Sequence, residues 1–83
     1  MNTGGSLVVA FVLIRTKAGK ELDVVEKVKE MGEVKDAWAV YGEFDIIARV
    51  EVESMPELNS FILEKLRKMS DIVMTSTLIT MEV

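Results

Sequence analysis

Residues 41–45 read Tyr41-Gly42-Glu43-Phe44-Asp45, with a glycine three positions ahead of an aspartate. Glycine adopts backbone conformations closed to other residues and lets other groups approach closely. A carboxylate held at a strand end beside free backbone amides can receive the ammonium of a zwitterion, while those amides receive its carboxylate. The same residues also suit an ordinary turn carrying an aspartate. Hydroxyls cluster again at Thr75-Ser76-Thr77, where strand alternation puts the two threonines on one face and Ser76 on the other. Threonine also favours strands for packing reasons alone. The chain has no histidine and no cysteine, which removes imidazole acid–base chemistry, thiolate nucleophiles and Cys-based zinc sites. No serine stands beside a base. Asp36, Glu43 and Asp45 could supply a carboxylate pair, but a solvated turn accounts for them equally well. Walker, dinucleotide-binding and EF-hand motifs are absent. We expect no catalytic residue, no metal ligand and no cofactor, so the chemistry to look for is binding.

The elements that would position these residues follow from the hydrophobic pattern. Residues 7–15 form an apolar run closed by Arg15, the length of a strand buried on both faces. From residue 21 to 31, Leu22, Val25, Val28 and Met31 recur at intervals of three, as on an amphipathic helix, with Gly32 placed for a left-handed cap. Residues 34–41 and 44–52 read as two strands joined at Gly42-Glu43 by a two-residue hairpin. The first carries Val34, Trp38 and Val40 on one parity with Asp36 as the exception; the second carries Phe44, Ile46, Ala48, Val50 and Val52. Ser54, Pro56 and Glu57 mark a helix start of the capping-box kind, and Leu58, Phe61, Ile62, Leu66 and Met69 form its buried stripe. Residues 72–83, rich in β-branched side chains, make the last strand.

The order β-α-β-β-α-β predicts an α+β, ferredoxin-like sandwich: a four-stranded antiparallel sheet with two helices on one face. Both parities of the first strand are apolar, so the open face is not built for water. Burying it calls for a second copy packed sheet to sheet, as in the dimeric alpha-beta barrel arrangement. Trp38, if it lies on that face, would anchor the interface, and otherwise it would pack in the core under the helices.

Composition agrees. With 83 residues the chain is one domain, and 49% of it is hydrophobic, high for so small an object. A net charge of −4 argues against direct nucleic-acid binding. The basic cluster Lys65, Arg67 and Lys68 falls in the last turns of a predicted helix, where it complements the dipole. No stretch approaches the roughly 20 apolar residues that cross a bilayer. Residues 7–14 lack the basic flank and cleavage site of a signal peptide, so we expect a cytoplasmic protein. Residues 1–6 read as a flexible leader or an expression remnant, and residues 7–83 as the single ligand-binding and oligomerisation domain.

The run Val40-Tyr41-Gly42-Glu43-Phe44-Asp45-Ile46-Ile47 resembles the Gly-x-x-Asp signature of the Lrp/AsnC ligand-binding domain, and Thr75-Ser76-Thr77-Leu78-Ile79 resembles that family's last-strand threonine segment. The element spacing is similar across residues 7–83. The resemblance implies a stand-alone amino-acid-sensing domain without the family's helix-turn-helix. It further implies a homodimer and an octamer-like ring, with an amino acid bound at subunit interfaces by Tyr41, Gly42, Glu43, Phe44 and Asp45 of one subunit and Thr75, Ser76 and Thr77 of a neighbour. Transcription would be modulated indirectly, through oligomerisation or a full-length Lrp/AsnC regulator. Two other readings remain beside it. One is an oligomerisation adaptor that senses nothing. The other is a small dimeric ferredoxin-like isomerase or monooxygenase, weakened by the missing histidine and cysteine.

Overall fold

The computed structural model describes residues 7–81. The leader expected over residues 1–6, and the end of the last strand at residues 82–83, lie outside them. The elements are β1 (Val8–Thr16), α1 (Glu21–Lys29), β2 (Val34–Ala39), β3 (Ile46–Val52), α2 (Met55–Phe61) continued by one π-helical turn (Ile62–Leu66), and β4 (Ile72–Ile79). They form a four-stranded antiparallel sheet in the order β2-β3-β1-β4, the expected ferredoxin-like sandwich.

Strand alternation divides β1 cleanly. Ala10, Val12 and Ile14 are fully buried beneath the helices, together with Ile46, Ala48, Val50 and Val52 of β3. Val24, Val25 and Val28 of α1 and Leu58, Phe61 and Leu66 of the second helix close this core. Leu22, expected on the buried stripe of α1, is instead exposed. The stripe runs through adjacent Val24 and Val25, because α1 leans on both β2 and β3 and needs a wider apolar face. α1 ends at Glu30 in a right-handed conformation, so the left-handed cap expected at Gly32 does not form.

Two further expectations shift. In β2 a bulge between Val34 and Asp36 inverts the parity that the sequence suggests: Val34 and Ala37 face the core, whereas Asp36 and Trp38 face the open side. This explains Asp36 as the apparent exception. At the second helix Ser54 Oγ accepts the Glu57 N–H at 3.3 Å as expected, but the Glu57 carboxylate accepts the N–H of Glu53 rather than that of Ser54. The helix then widens in its last turn, where the Arg67 N–H donates to the Ile62 C=O five residues back at 2.9 Å, and Leu66 of that turn is buried. No helix among the described residues is long and apolar enough to cross a membrane.

Val9, Phe11 and Leu13 of β1, Ile47 of β3, Trp38 of β2 and Leu78 of β4 lie on the open face by register. Arg49 and Glu51 pair there as neighbours on β3. In the single subunit this face is half-exposed, with Trp38 at 43% and Leu78 at 55%.

Candidate functional site

The segment carrying Gly42 and Asp45 is a four-residue loop and not the expected two-residue hairpin. Val40 N–H donates to Asp45 C=O at 2.8 Å and closes residues 41–44. The ladder stops at Ile46 because Asp45 is diverted towards β1. Its N–H donates to Ile14 C=O at 2.9 Å, and its carboxylate Oδ2 accepts the Thr16 N–H at 2.8 Å. The Thr16 hydroxyl also lies 3.4 Å from the same oxygen. The carboxylate thus takes the place of the backbone acceptor that a longer β3 would have offered. Phe44, expected on the buried face of the strand, sits instead in the loop with its ring 5.4 Å below the Arg15 guanidinium. Arg15 Nε donates to the Glu43 carbonyl at 2.9 Å.

Three consecutive β1 residues, Ile14, Arg15 and Thr16, therefore brace the loop. Sequence reasoning missed Arg15 and Thr16 as its supports. The signal was available in the antiparallel count, since pairing Ile14 with Ile46 brings Arg15 and Thr16 beside Asp45 and Phe44. Gly42 has φ of +135°, and an added side chain there would meet no atom, so glycine is required by the backbone alone. Tyr41 is fully exposed and touches nothing that would hold it.

The last-strand hydroxyls lie across β1 from this loop. Thr75 pairs with Ile14 and Thr77 with Val12, so both face the helix side; Ser76 pairs with Leu13 and faces the open side. Two strand spacings, about 10 Å, separate the β3 end from Thr75 within one subunit. The two groups are not brought into one pocket in the single chain. Thr75 lines a shallow cavity of about 310 Å³ with Arg67, Ile72, Val73 and Met74. A second cleft, about 490 Å³, lies at the far end of β3, where Glu33, Val52, Glu57, Phe61 and Lys65 line it. There Lys65 Nζ bridges both Glu33 carboxylate oxygens at 2.8 and 2.9 Å, and that hydrogen-bonded charge holds the Glu33 carboxyl below its ordinary range. Among the described residues no group of three acidic side chains is arranged to hold a metal ion.

The sheet order, the braced Gly-x-x-Asp loop and the last-strand threonines are the frame against which known proteins can be compared. The family model of the Lrp/AsnC ligand binding domain matches residues 9–83. The chain belongs to the Lrp/AsnC ligand-binding domain family. It is 29% identical over 79 residues to the HTH-type transcriptional regulator FL11 of Pyrococcus furiosus, covering 95% of this chain and 52% of that one. The chain thus spans about half the length of the curated relatives it matches. Two solved structures are close to it in extent. That of FFRP-DM1 has a TM-score of 0.86 at 53% identity, covering 89% of this chain and 99% of that one. A hypothetical protein, PHS023 of Pyrococcus horikoshii, has a TM-score of 0.85 at 51% identity and 92% coverage of both chains. The curated relatives of this Lrp/AsnC domain are named as HTH-type transcriptional regulators.

Proposed function

We propose that this Lrp/AsnC domain binds a free amino acid at joints between subunits and, through the resulting change in assembly, modulates transcription. The braced loop is the observation that carries this reading. Asp45 Oδ2 is committed to Thr16, while among the described residues nothing donates to Oδ1. One oxygen fixes the loop and the other is left to receive an ammonium. Tyr41, Gly42, Glu43 and Phe44 would form the loop side of the site. Thr75, Ser76 and Thr77 would come from a neighbour, because β1 stands between the two groups within one chain.

The open sheet face supports a homodimer, and a ring of such dimers would create the joints. A ligand can shift such an assembly only by as much as it prefers one form over another. The protein would work in the cytoplasm, through its own assembly or that of a regulator carrying a DNA-reading part.

Calorimetric titration with each common amino acid, paired with native mass spectrometry, tests the reading. At least one amino acid should bind and alter the distribution of masses, and Asp45→Ala should abolish that binding. Indifference to every amino acid would leave a non-sensing adaptor as the better account.

A further inference from the structure

Arg15 of β1 and Asp45 beside β3 carry opposite charges on neighbouring positions and do not pair. Extending the β1–β3 register one step past Ile14 and Ile46 sets Arg15 opposite Asp45. Residues opposite each other in an antiparallel pair have Cα atoms about 5 Å apart, close enough for such side chains to meet. Yet the ion pairs among the described residues are Arg49–Glu51 and Lys65–Glu33. Both Arg15 and Asp45 are partly buried, where an unmatched charge costs more than it does in open solvent.

Each of the two is held by a different group instead. Arg15 Nε donates to the Glu43 C=O at 2.9 Å, and the Phe44 ring lies 5.4 Å beneath the guanidinium. Asp45 Oδ2 accepts the Thr16 N–H at 2.8 Å, with the Thr16 hydroxyl at 3.4 Å. Among the described residues nothing accepts from the Arg15 Nη groups, and nothing donates to Asp45 Oδ1. The Asp45 N–H is committed to the Ile14 C=O, so that amide is closed to a ligand's carboxylate. What remains free is a planar cationic fork beside a single anionic oxygen.

We infer that Arg15 receives the carboxylate of the ligand whose ammonium goes to Asp45 Oδ1, which makes the site one for a free α-amino acid and closes it to amides and peptides. The assignment rests on the amino-acid reading above and adds to it a binding residue and a selection rule. An α-amino acid carries both charges on one carbon, so one small molecule matches two groups that the fold keeps from touching. An amide or a peptide N-terminus brings the ammonium but sets a neutral group before the guanidinium, where a charge-assisted bond is lost. The Nε contact and the Phe44 ring fix the guanidinium before a ligand arrives, so binding has little left to order.

Calorimetric titration of unaltered and Arg15→Gln protein, with each common L-amino acid and with its C-terminal amide, separates the two claims. In the unaltered protein an amino acid should bind roughly 10- to 100-fold more tightly than its amide. In Arg15→Gln that gap should close, because the acid loses its partner and the amide does not. A loop merely loosened by the substitution would weaken acid and amide alike. A gap that survives in Arg15→Gln would overturn the proposal and leave the amino-acid reading standing. Acetate, a carboxylate without an ammonium, gives a check that needs no variant. Against chloride at equal ionic strength, it should shift the Arg15 Nε–H resonance in NMR spectra of the unaltered protein. An unmoved resonance would overturn the proposal. A shift with no amino acid bound would sink the amino-acid reading and the selection rule with it.

Discussion

Asp45 and Thr16, twenty-nine positions apart in sequence, end the β1–β3 ladder by a side-chain bond: the Asp45 carboxylate receives the Thr16 backbone N–H at 2.8 Å. Thr16 is the one polar residue buried with the core among the described residues. Its amide would have no acceptor if β3 stopped at Ile46 without the aspartate behind it. Removing that acceptor strands a buried donor, which costs more than the bond itself is worth. Asp45→Ala is expected to lower unfolding free energy by about 1–3 kcal/mol, read from the shift in denaturant midpoint. Asp45→Asn keeps a neutral acceptor and should cost less. Equal losses for the two would mean that charge, and not acceptor geometry, holds the loop. The stability readout has to accompany any binding study of Asp45, since the same side chain supports the loop it is proposed to serve.

The two faces of β1 should respond differently to substitution. Leu13 lies on the open face between Ile47 and Ser76, away from the Arg49–Glu51 pair. Leu13→Glu is expected to leave the subunit folded and to reduce the mass of its assembly, as measured by light scattering. Leu58, fully buried beneath the other face, should behave oppositely. Leu58→Ala should cost about 2–5 kcal/mol through lost burial and a residual cavity, with far-UV circular dichroism and melting as the readout. Unchanged mass for Leu13→Glu would remove the open face from the interface.

Ser54 makes a narrower case. Its Oγ satisfies one of the amides that the first turn of α2 leaves without a helical partner. Ser54→Ala should reduce stability by about 1 kcal/mol and Ser54→Gly by a few tenths. A larger loss for the glycine variant would show that the extended backbone at residue 54, and not the hydroxyl, starts the helix.

Much of this architecture was legible because hydrophobic period decides it. The alternation of Ile46, Ala48, Val50 and Val52, and the stripe Leu58, Phe61 and Leu66, are local patterns that survive folding unchanged. What the pattern could not carry were changes of register. The bulge at Val34–Asp36 flips Trp38 to the open face, and nothing in the run 34–39 announces an extra residue. The loop at residues 41–44 grew from two residues to four because Tyr41 and Phe44 do not pair; Phe44 lies instead against Arg15 of β1, a contact between distant positions. Thr75 and Thr77 were recognisable as hydroxyls on one face. Their place across β1 from the loop follows only from the strand order.

Acid should expose the link between the second helix and the start of β2. Lys65 holds both oxygens of Glu33, and this hydrogen bond depresses the Glu33 pKa below its ordinary value of 4.5. A carboxyl depressed in the folded state binds fewer protons there than in the unfolded chain, so its contribution is complete above the ordinary value and disappears as pH falls through the depressed one. The pair is substantially solvated, with side-chain exposures of 27% for Glu33 and 48% for Lys65, so the contribution is that of a surface ion pair. Lys65→Met removes the cation while keeping much of the aliphatic stem. The stability difference between unaltered and Lys65→Met protein, followed by chemical denaturation from neutral pH downward, should be constant above pH 4.5 and shrink below it. Adding salt should shrink it as well. A difference that persists undiminished in acid would assign the role of Lys65 to packing of its stem along the cleft rather than to its charge.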